Sequence, residues 1–219
     1  MNDSARRGAL RGISPNRKSE LDYLRWQIEG YGADNITLMT PEPKGGYYGK
    51  NGVAAFVDRY NYRKSDDQCD FNGMHKIGAT QAKTKLTLEL TGFDFAKQKF
   101  TDVGGALTLI DSKGGDAAHW KLSDLLSHWN RKHALAAYVP YTTQLEPAAY
   151  RYDSPVLLAE GTDFPKFLAA MCSQFVIYDP ACKIEGLSLG KRKSKARSQF
   201  RISVRRLSEL YDSVTSVAL

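Results

Sequence analysis

Asp22-Tyr23-Leu24-Arg25-Trp26-Gln27-Ile28-Glu29, DYLRWQIE in one-letter code, alternates with a period of two. That period belongs to a β-strand, with Leu24, Trp26 and Ile28 on one face and Arg25, Gln27 and Glu29 on the other. The apolar face predicts core, with Trp26 buried. The polar face sets an amide and a carboxylate two residues apart, close behind Asp22, and needs another reason. A strand over 22–29 is expected, and its polar face is the first candidate for a site.

Outward from this strand, the turn GYGADN leads to a second strand at 35–39, NITLM. TPEPKGGYYGKNG, residues 40–52, reads as a Pro/Gly loop. VAAFVDRYNY after it has helical spacing at Val53, Phe56, Val57 and Tyr60. KTKLTLELTGFDF sets Leu86, Leu88 and Leu90 against Thr87, Glu89 and Thr91, which predicts a strand over 84–93 with Leu88 buried. KLSDLLSHWNRKH predicts an amphipathic helix over 121–131 that runs into a buried strand, ALAAYVPY. AAYRYDSPVLLAE reads as a hairpin, and TDFPKFLAAMCSQ as a helix over 163–172 capped by Thr162 or Asp163. FVIYDP and KIEG read as short strands. The tail reads as a basic loop GKRKSKARS, a strand QFRISV and a last helix RRLSELYDSV.

Strands and helices in no regular βαβ rhythm predict an α+β class with a mixed sheet. Residues 1–19, with Arg6, Arg7, Arg11, Arg17 and Lys18 but no apolar periodicity, read as a basic N-terminal arm, and 20–219 as a single domain. A chain of 219 residues can bury a core without staples. Cys69, Cys172 and Cys182 are odd in number and widely spaced, unlike a disulfide framework or a zinc site, and predict reduced thiols in the cytoplasm. No segment reaches the roughly 18 apolar residues of a membrane span, and the basic N-terminus lacks the apolar stretch of a signal peptide. The net charge of +7 suits a polyanionic partner such as nucleic acid.

Lys191, Arg192, Lys193, Lys195, Arg197, Arg201, Arg205 and Arg206 form a run without an acid up to Arg206. It reads as a solvated loop or as an edge that contacts phosphates. Arg197 and Arg201, beside a strand, are candidates for the second role. In the glycine-rich loop, Lys44 and Lys50 alternate with Tyr47 and Tyr48. That pattern fits a plain connection or a DNA-facing loop, but not a Walker loop. Lys132 and His133 stand where helix gives way to strand and are further binding candidates. Neither a GxSxG elbow nor a dinucleotide fingerprint is present.

In the stretches SELDYLRWQIEGYG, NITLMTPEPKGGYYGKNGVAAFVDRYNY, LTGFD, LLSHWNRKHALAAYVPY, GTDFPKFLAAM, YDPACKIEG and RSQFRISVRRLSELY, taken in order, the chain resembles the MvaI/BcnI restriction endonucleases of the PD-(D/E)XK superfamily. The resemblance implies a restriction-endonuclease-like central mixed sheet flanked by helices, and a monomeric enzyme that cleaves double-stranded DNA with Mg²⁺. It also implies a cognate methyltransferase acting on the same site. The family's active strand has the pattern Pro-Asp-x-x-Gly-Trp-Glu-x-Lys. Here Asp22 and Trp26 match, while Leu21, Arg25, Gln27 and Glu29 replace Pro, Gly, Glu and Lys. The resemblance thus assigns the catalytic positions to Asp22, Gln27 and Glu29. Asp22 and Glu29 are the implied metal ligands, with Gln27 a weak ligand or a water-orienting group. Family members usually carry more chain before this strand, so a short N-terminus is also implied. Cleavage is expected to be impaired or lost. The alternatives are a DNA-binding remnant that does not cut, and an RNA-acting or structural protein favoured only by charge.

Overall fold

The computed structural model describes residues 26–130, 133–146 and 149–218, with Arg63 in its backbone only. The arm 1–19, Asp22 and Lys132 lie outside the described residues. In chain order, β1 (Gln27–Tyr31) and β2 (Asn35–Met39) precede helix α1 (Gly46–Tyr60). There follow β3 (Tyr62–Arg63), β4 (Gln68–Asn72), β5 (Thr87–Leu90), and the short pair β6 (Phe93–Asp94) and β7 (Lys99–Phe100). β8 (Ala106–Ile110) and β9 (Asp116–Lys121) lead into α2 (Leu122–Trp129). Next come β10 (Leu135–Gln144), β11 (Ala149–Tyr152), β12 (Val156–Glu160), α3 (Phe164–Cys172), β13 (Val176–Tyr178) and β14 (Ala181–Glu185). β15 (Lys193–Lys195), β16 (Phe200–Ser203), a 3-10 helix (Val204–Glu209) and β17 (Ser213–Val217) complete the order.

The site is positioned by a mixed sheet in the order β1-β10-β12-β17, with β11 pairing the far end of β10. β1 runs parallel to β10 and the other neighbours are antiparallel. Register places Gln27 beside Ala136 and Glu29 beside Tyr138. Since side chains alternate across a strand, these four share one face. The opposite face carries Ile28, Ala137, Val139 and Val156 in a small cluster of their own.

Three further sheets supply the main core. β13-β16-β2 contributes Val176, Tyr178, Phe200, Ile202, Ile36 and Leu38, and β5-β8-β9 contributes Leu88, Leu107, Leu109 and Trp120. β15-β14-β4-β3 rests on α1, where Phe56 meets Phe71 at 4.7 Å. The core runs in sequence from Ile36 to Tyr211. Asp163 caps α3 by accepting from Lys166 N at 2.8 Å, with Pro165 in the first turn, as Asp at a helix start should. Among the described residues no helix is long and apolar enough to cross a membrane.

Several expectations change in detail. Of the strand expected over 22–29, residues 27–29 are strand and continue to Tyr31, and 22–25 lie outside the described residues. Trp26 is half-buried, because it packs against the small cluster at the strand's start rather than in the main core. The strand expected over 84–93 is Thr87–Leu90, cut short where Gly92 turns at φ +78°. The glycine loop ends at Gly45. Residues 46–60 are one helix kinked at Gly52, whose φ of +77° few other residues tolerate. β11 and β12 both pair with β10 and not with each other, so no hairpin forms there. The basic loop contains an edge strand, β15, on β14. The last helix becomes a 3-10 helix followed by β17, where the β-branched Val214, Thr215 and Val217 suit a pleated edge.

His75 is fully buried, 2.9 Å from Thr84 Oγ1 and stacked on Phe71, and burial lowers its pKa to about 4. An unfolded histidine takes a proton near pH 6.5, which the folded chain refuses until about pH 4. The stability owed to neutral His75 is whole above pH 6.5 and falls by about 1.4 kcal/mol per pH unit down to about pH 4. Urea unfolding at pH 7, 6 and 5 should show this decline. His75→Gln should lower stability at pH 7 and flatten the decline.

Candidate functional site

Gln27 and Glu29 project from the same face of β1, and Gln27 Nε2 donates to Glu29 Oε1 at 3.1 Å. The interior lies on this side of the sheet. Gln27 is buried at 5 % exposure and Glu29 is half-buried. Beside them stands a pair of phenols, Tyr138 Oη and Tyr211 Oη, 2.8 Å apart, with His133 Nδ1 3.5 Å from Tyr211 Oη. Burial pushes the Tyr138 phenol well above its ordinary pKa. Its neighbour Tyr211 adds to the rise and the negative Glu29 adds more. Burial raises Tyr211 too; its bond with Tyr138 opposes the rise and Glu29 reinforces it. Both phenols therefore remain neutral at physiological pH and can donate hydrogen bonds, but cannot serve as anions.

Mg²⁺ is a hard cation that prefers carboxylate oxygens and water, and needs negative charge to bind tightly. Here the strand face supplies one carboxylate, and the neighbouring amide donates to it. Among the described residues no cluster of three or more His, Cys, Asp or Glu side chains could hold a metal. Glu29 is the described carboxylate of the implied pair, and Asp22 lies outside the described residues.

The candidate DNA contacts fall into two groups. Lys44 and Lys50 are exposed, Lys44 before α1 and Lys50 within it, and Lys44 Nζ lies 3.3 Å from Asp124. Arg197 is exposed ahead of β16. By contrast, Arg201 is three-quarters covered. It donates to Asp179 at 2.7 Å and to the carbonyl of Asn35 at 3.1 Å, tying β16 to its neighbours. His133 is 1 % exposed, stacked on Trp129 with ring centroids 4.0 Å apart. Within the basic run, Arg192 grips both carboxylate oxygens of Asp58 on α1 at 2.6 Å.

Sequence reasoning missed Tyr138 and Tyr211. The alternation in ALAAYVPY puts Tyr138 on one face of its strand. Only the register with β1, invisible in a single sequence, shows that Glu29 shares that face. It also missed a polar groove on the four-stranded sheet, lined in part by Lys64, Lys183 and Lys195 together with Arg197.

A mixed sheet whose first strand presents two polar side chains inward is the frame of a restriction-endonuclease-like protein, and the family comparison agrees. A sequence profile of the MvaI/BcnI restriction endonuclease family matches residues 9–211, and the chain belongs to that family. Among solved structures it is similar to restriction endonuclease MvaI in complex with its cognate DNA, with a TM-score of 0.70 and 15 % identity, over 95 % of this chain and 84 % of that one. It is also similar to MvaI in the absence of DNA, with a TM-score of 0.55 and 15 % identity, over 90 % of this chain and 80 % of that one. No curated protein matches it.

Tyr138→Phe removes one of two mutually bonded hydroxyls in a fully buried pair. The change should destabilise the chain by about 1–2 kcal/mol, since the remaining buried hydroxyl is left without its partner. Urea unfolding at pH 7 measures it. An unchanged midpoint would mean that the phenol pair contributes nothing net.

Proposed function

We propose that the protein binds duplex DNA as a type II restriction endonuclease does, and that its β1 site hydrolyses phosphodiesters with Mg²⁺ slowly or not at all. The observation that carries this reading is the Gln27–Glu29 pair. An amide and a carboxylate, hydrogen-bonded to each other, stand where the family pattern has an acid and a lysine. Hydrolysis needs negative charge to hold the ion and positive charge to steady the phosphate as its charge grows. Gln27 has lost the first. Glu29 reverses the second and repels the phosphate. Asp22 remains the acid that the motif offers to Mg²⁺, and Glu29 is the other acid in the motif.

On the binding side, the charge of +7 and the likeness in fold to a protein solved with its DNA support duplex DNA as the partner. Lys44, Lys50 and Arg197 are the phosphate contacts, and Lys132 remains a further candidate from the sequence. Arg201 and His133 serve packing instead, Arg201 tying β16 to Asp179 and Asn35 and His133 stacking on Trp129. The same reading makes the protein a cytoplasmic monomer whose site a methyltransferase would protect.

Two experiments test it. The unmodified chain should give slow or no cleavage of duplex DNA with Mg²⁺. Gln27→Glu with Glu29→Lys restores both charges, and the two changes should be strongly non-additive because they act on one transition state. Vigorous cleavage by the unmodified chain, unaffected by Asp22→Ala, would place the chemistry elsewhere and sink the assignment. For binding, log K should fall linearly with log salt. Replacing Lys44, Lys50 and Arg197 by Gln should reduce that slope by about 0.9 for each phosphate no longer neutralised, whereas an unchanged slope would remove them from the interface.

A further inference from the structure

The front of the four-stranded sheet carries a second set of polar side chains, distinct from β1. Gln68, Asp70 and Asn72 alternate along β4 and so project together from one face, while Phe71 between them enters the core. Across the ladder Lys183 stands opposite Asp70, and Lys195 opposite Lys183. With Lys64 and Arg197 they line an open groove of about 230 Å³.

Two amides in this groove are held in fixed and opposite senses. Asn72 Oδ1 accepts from Tyr62 Oη at 2.7 Å, which leaves the Nδ2 hydrogens for a ligand. Gln68 Nε2 donates to Asp70 Oδ1 at 2.5 Å, which leaves Oε1 as an acceptor. Among the described residues neither Asn72 Nδ2 nor Gln68 Oε1 takes another partner; Asp70, buried beside Lys64 at 3.7 Å, anchors Gln68, and Tyr62 anchors Asn72. One donor and one acceptor on a single strand face, rimmed by Lys64, Lys183, Lys195 and Arg197, match a polar base edge between two phosphate backbones. A two-stranded β-ribbon fits the roughly 12 Å major groove of B-form DNA, and here the antiparallel pair β4 and β14 would be that ribbon, carrying both amides and Lys183.

We propose that Asn72 and Gln68 read base edges in the major groove of duplex DNA, and that Lys195 and Arg197 hold the flanking phosphates. The inference rests on the duplex-binding reading above and adds the residues that set sequence preference. Asn72 is suited to adenine, giving Nδ2 to N7 and keeping a lone pair of Oδ1 for the N6 amine. Gln68 Oε1 is suited to an exocyclic amine.

The test is selection of bound duplexes from a random pool, with the unmodified chain, Asn72→Ala, Gln68→Ala, and Lys195→Gln with Arg197→Gln. Tyr62→Phe, which frees the Asn72 amide to turn without removing it, is the second variant at that position. The expected result is a defined preferred sequence for the unmodified chain. Asn72→Ala and Gln68→Ala should each lose preference at one position by about 10-fold with little change in affinity for non-specific duplex, and Tyr62→Phe should blur the same position as Asn72→Ala. The double cation variant should weaken all sequences alike and lower the salt slope. Identical preferred sequences for the unmodified and amide variants would overturn the inference and leave duplex binding standing. A groove that binds DNA with no sequence preference at all would overturn it too. Failure of the unmodified chain to bind any duplex would overturn the parent reading as well, and is recognised by that loss alone.

Discussion

Parallel pairing between β1 and β10 is the constraint on which the rest depends. A parallel neighbour cannot be reached by a tight turn, so more than a hundred residues separate Tyr31 from Leu135 and must be packed on the way. Those residues build the other sheets, and they return the chain so that Tyr138 lies beside Glu29. Slipping the register by one residue would send Tyr138 to the small apolar cluster and bring Ala137 or Val139 under the carboxylate. The polar face of β1 is therefore polar by sequence but interior by topology.

The consequence for chemistry is electrostatic. On this face Gln27 donates to Glu29 and Tyr138 stands beside it in register, while β1 itself, Gln27–Tyr31, carries neither lysine nor arginine. Positive charge is instead placed on other surfaces: before and within α1, at the edge of β15, and ahead of β16.

Much of the fold was legible in short-range pattern. NITLM gives β2 with the expected bounds, Leu88 is fully buried as its alternation requires, and Asp163 caps α3. Where the pattern misled, a local signal was overruled by a distant partner. RRLSELYDSV has helical spacing, yet β12 offers an edge that Ser213–Val217 can complete, and ladder hydrogen bonds win over a short helix. Gly46–Gly52 reads as loop because glycine disfavours helix, but Tyr48 is buried and bonds Glu42, which fixes a helical turn there before the break at Gly52. Of the candidate site, the shared face of Gln27 and Glu29 was legible from spacing, while their role is what the family resemblance implies. Tyr138, Tyr211 and the groove on β4 were not, because each depends on which strands become neighbours.

The central sheet takes its first strand from residue 27 and its last from residues 213–217. During synthesis at the ribosome, β1 has no partner until β10 emerges, and the phenol of Tyr211 arrives later still. Contacts so distant along the chain form slowly and late. The surroundings of Tyr138 are thus complete only after residue 211 has been made. A chain halted before that point would hold β10 and β12 in place yet leave the Tyr138 hydroxyl without the partner it bonds in the finished fold.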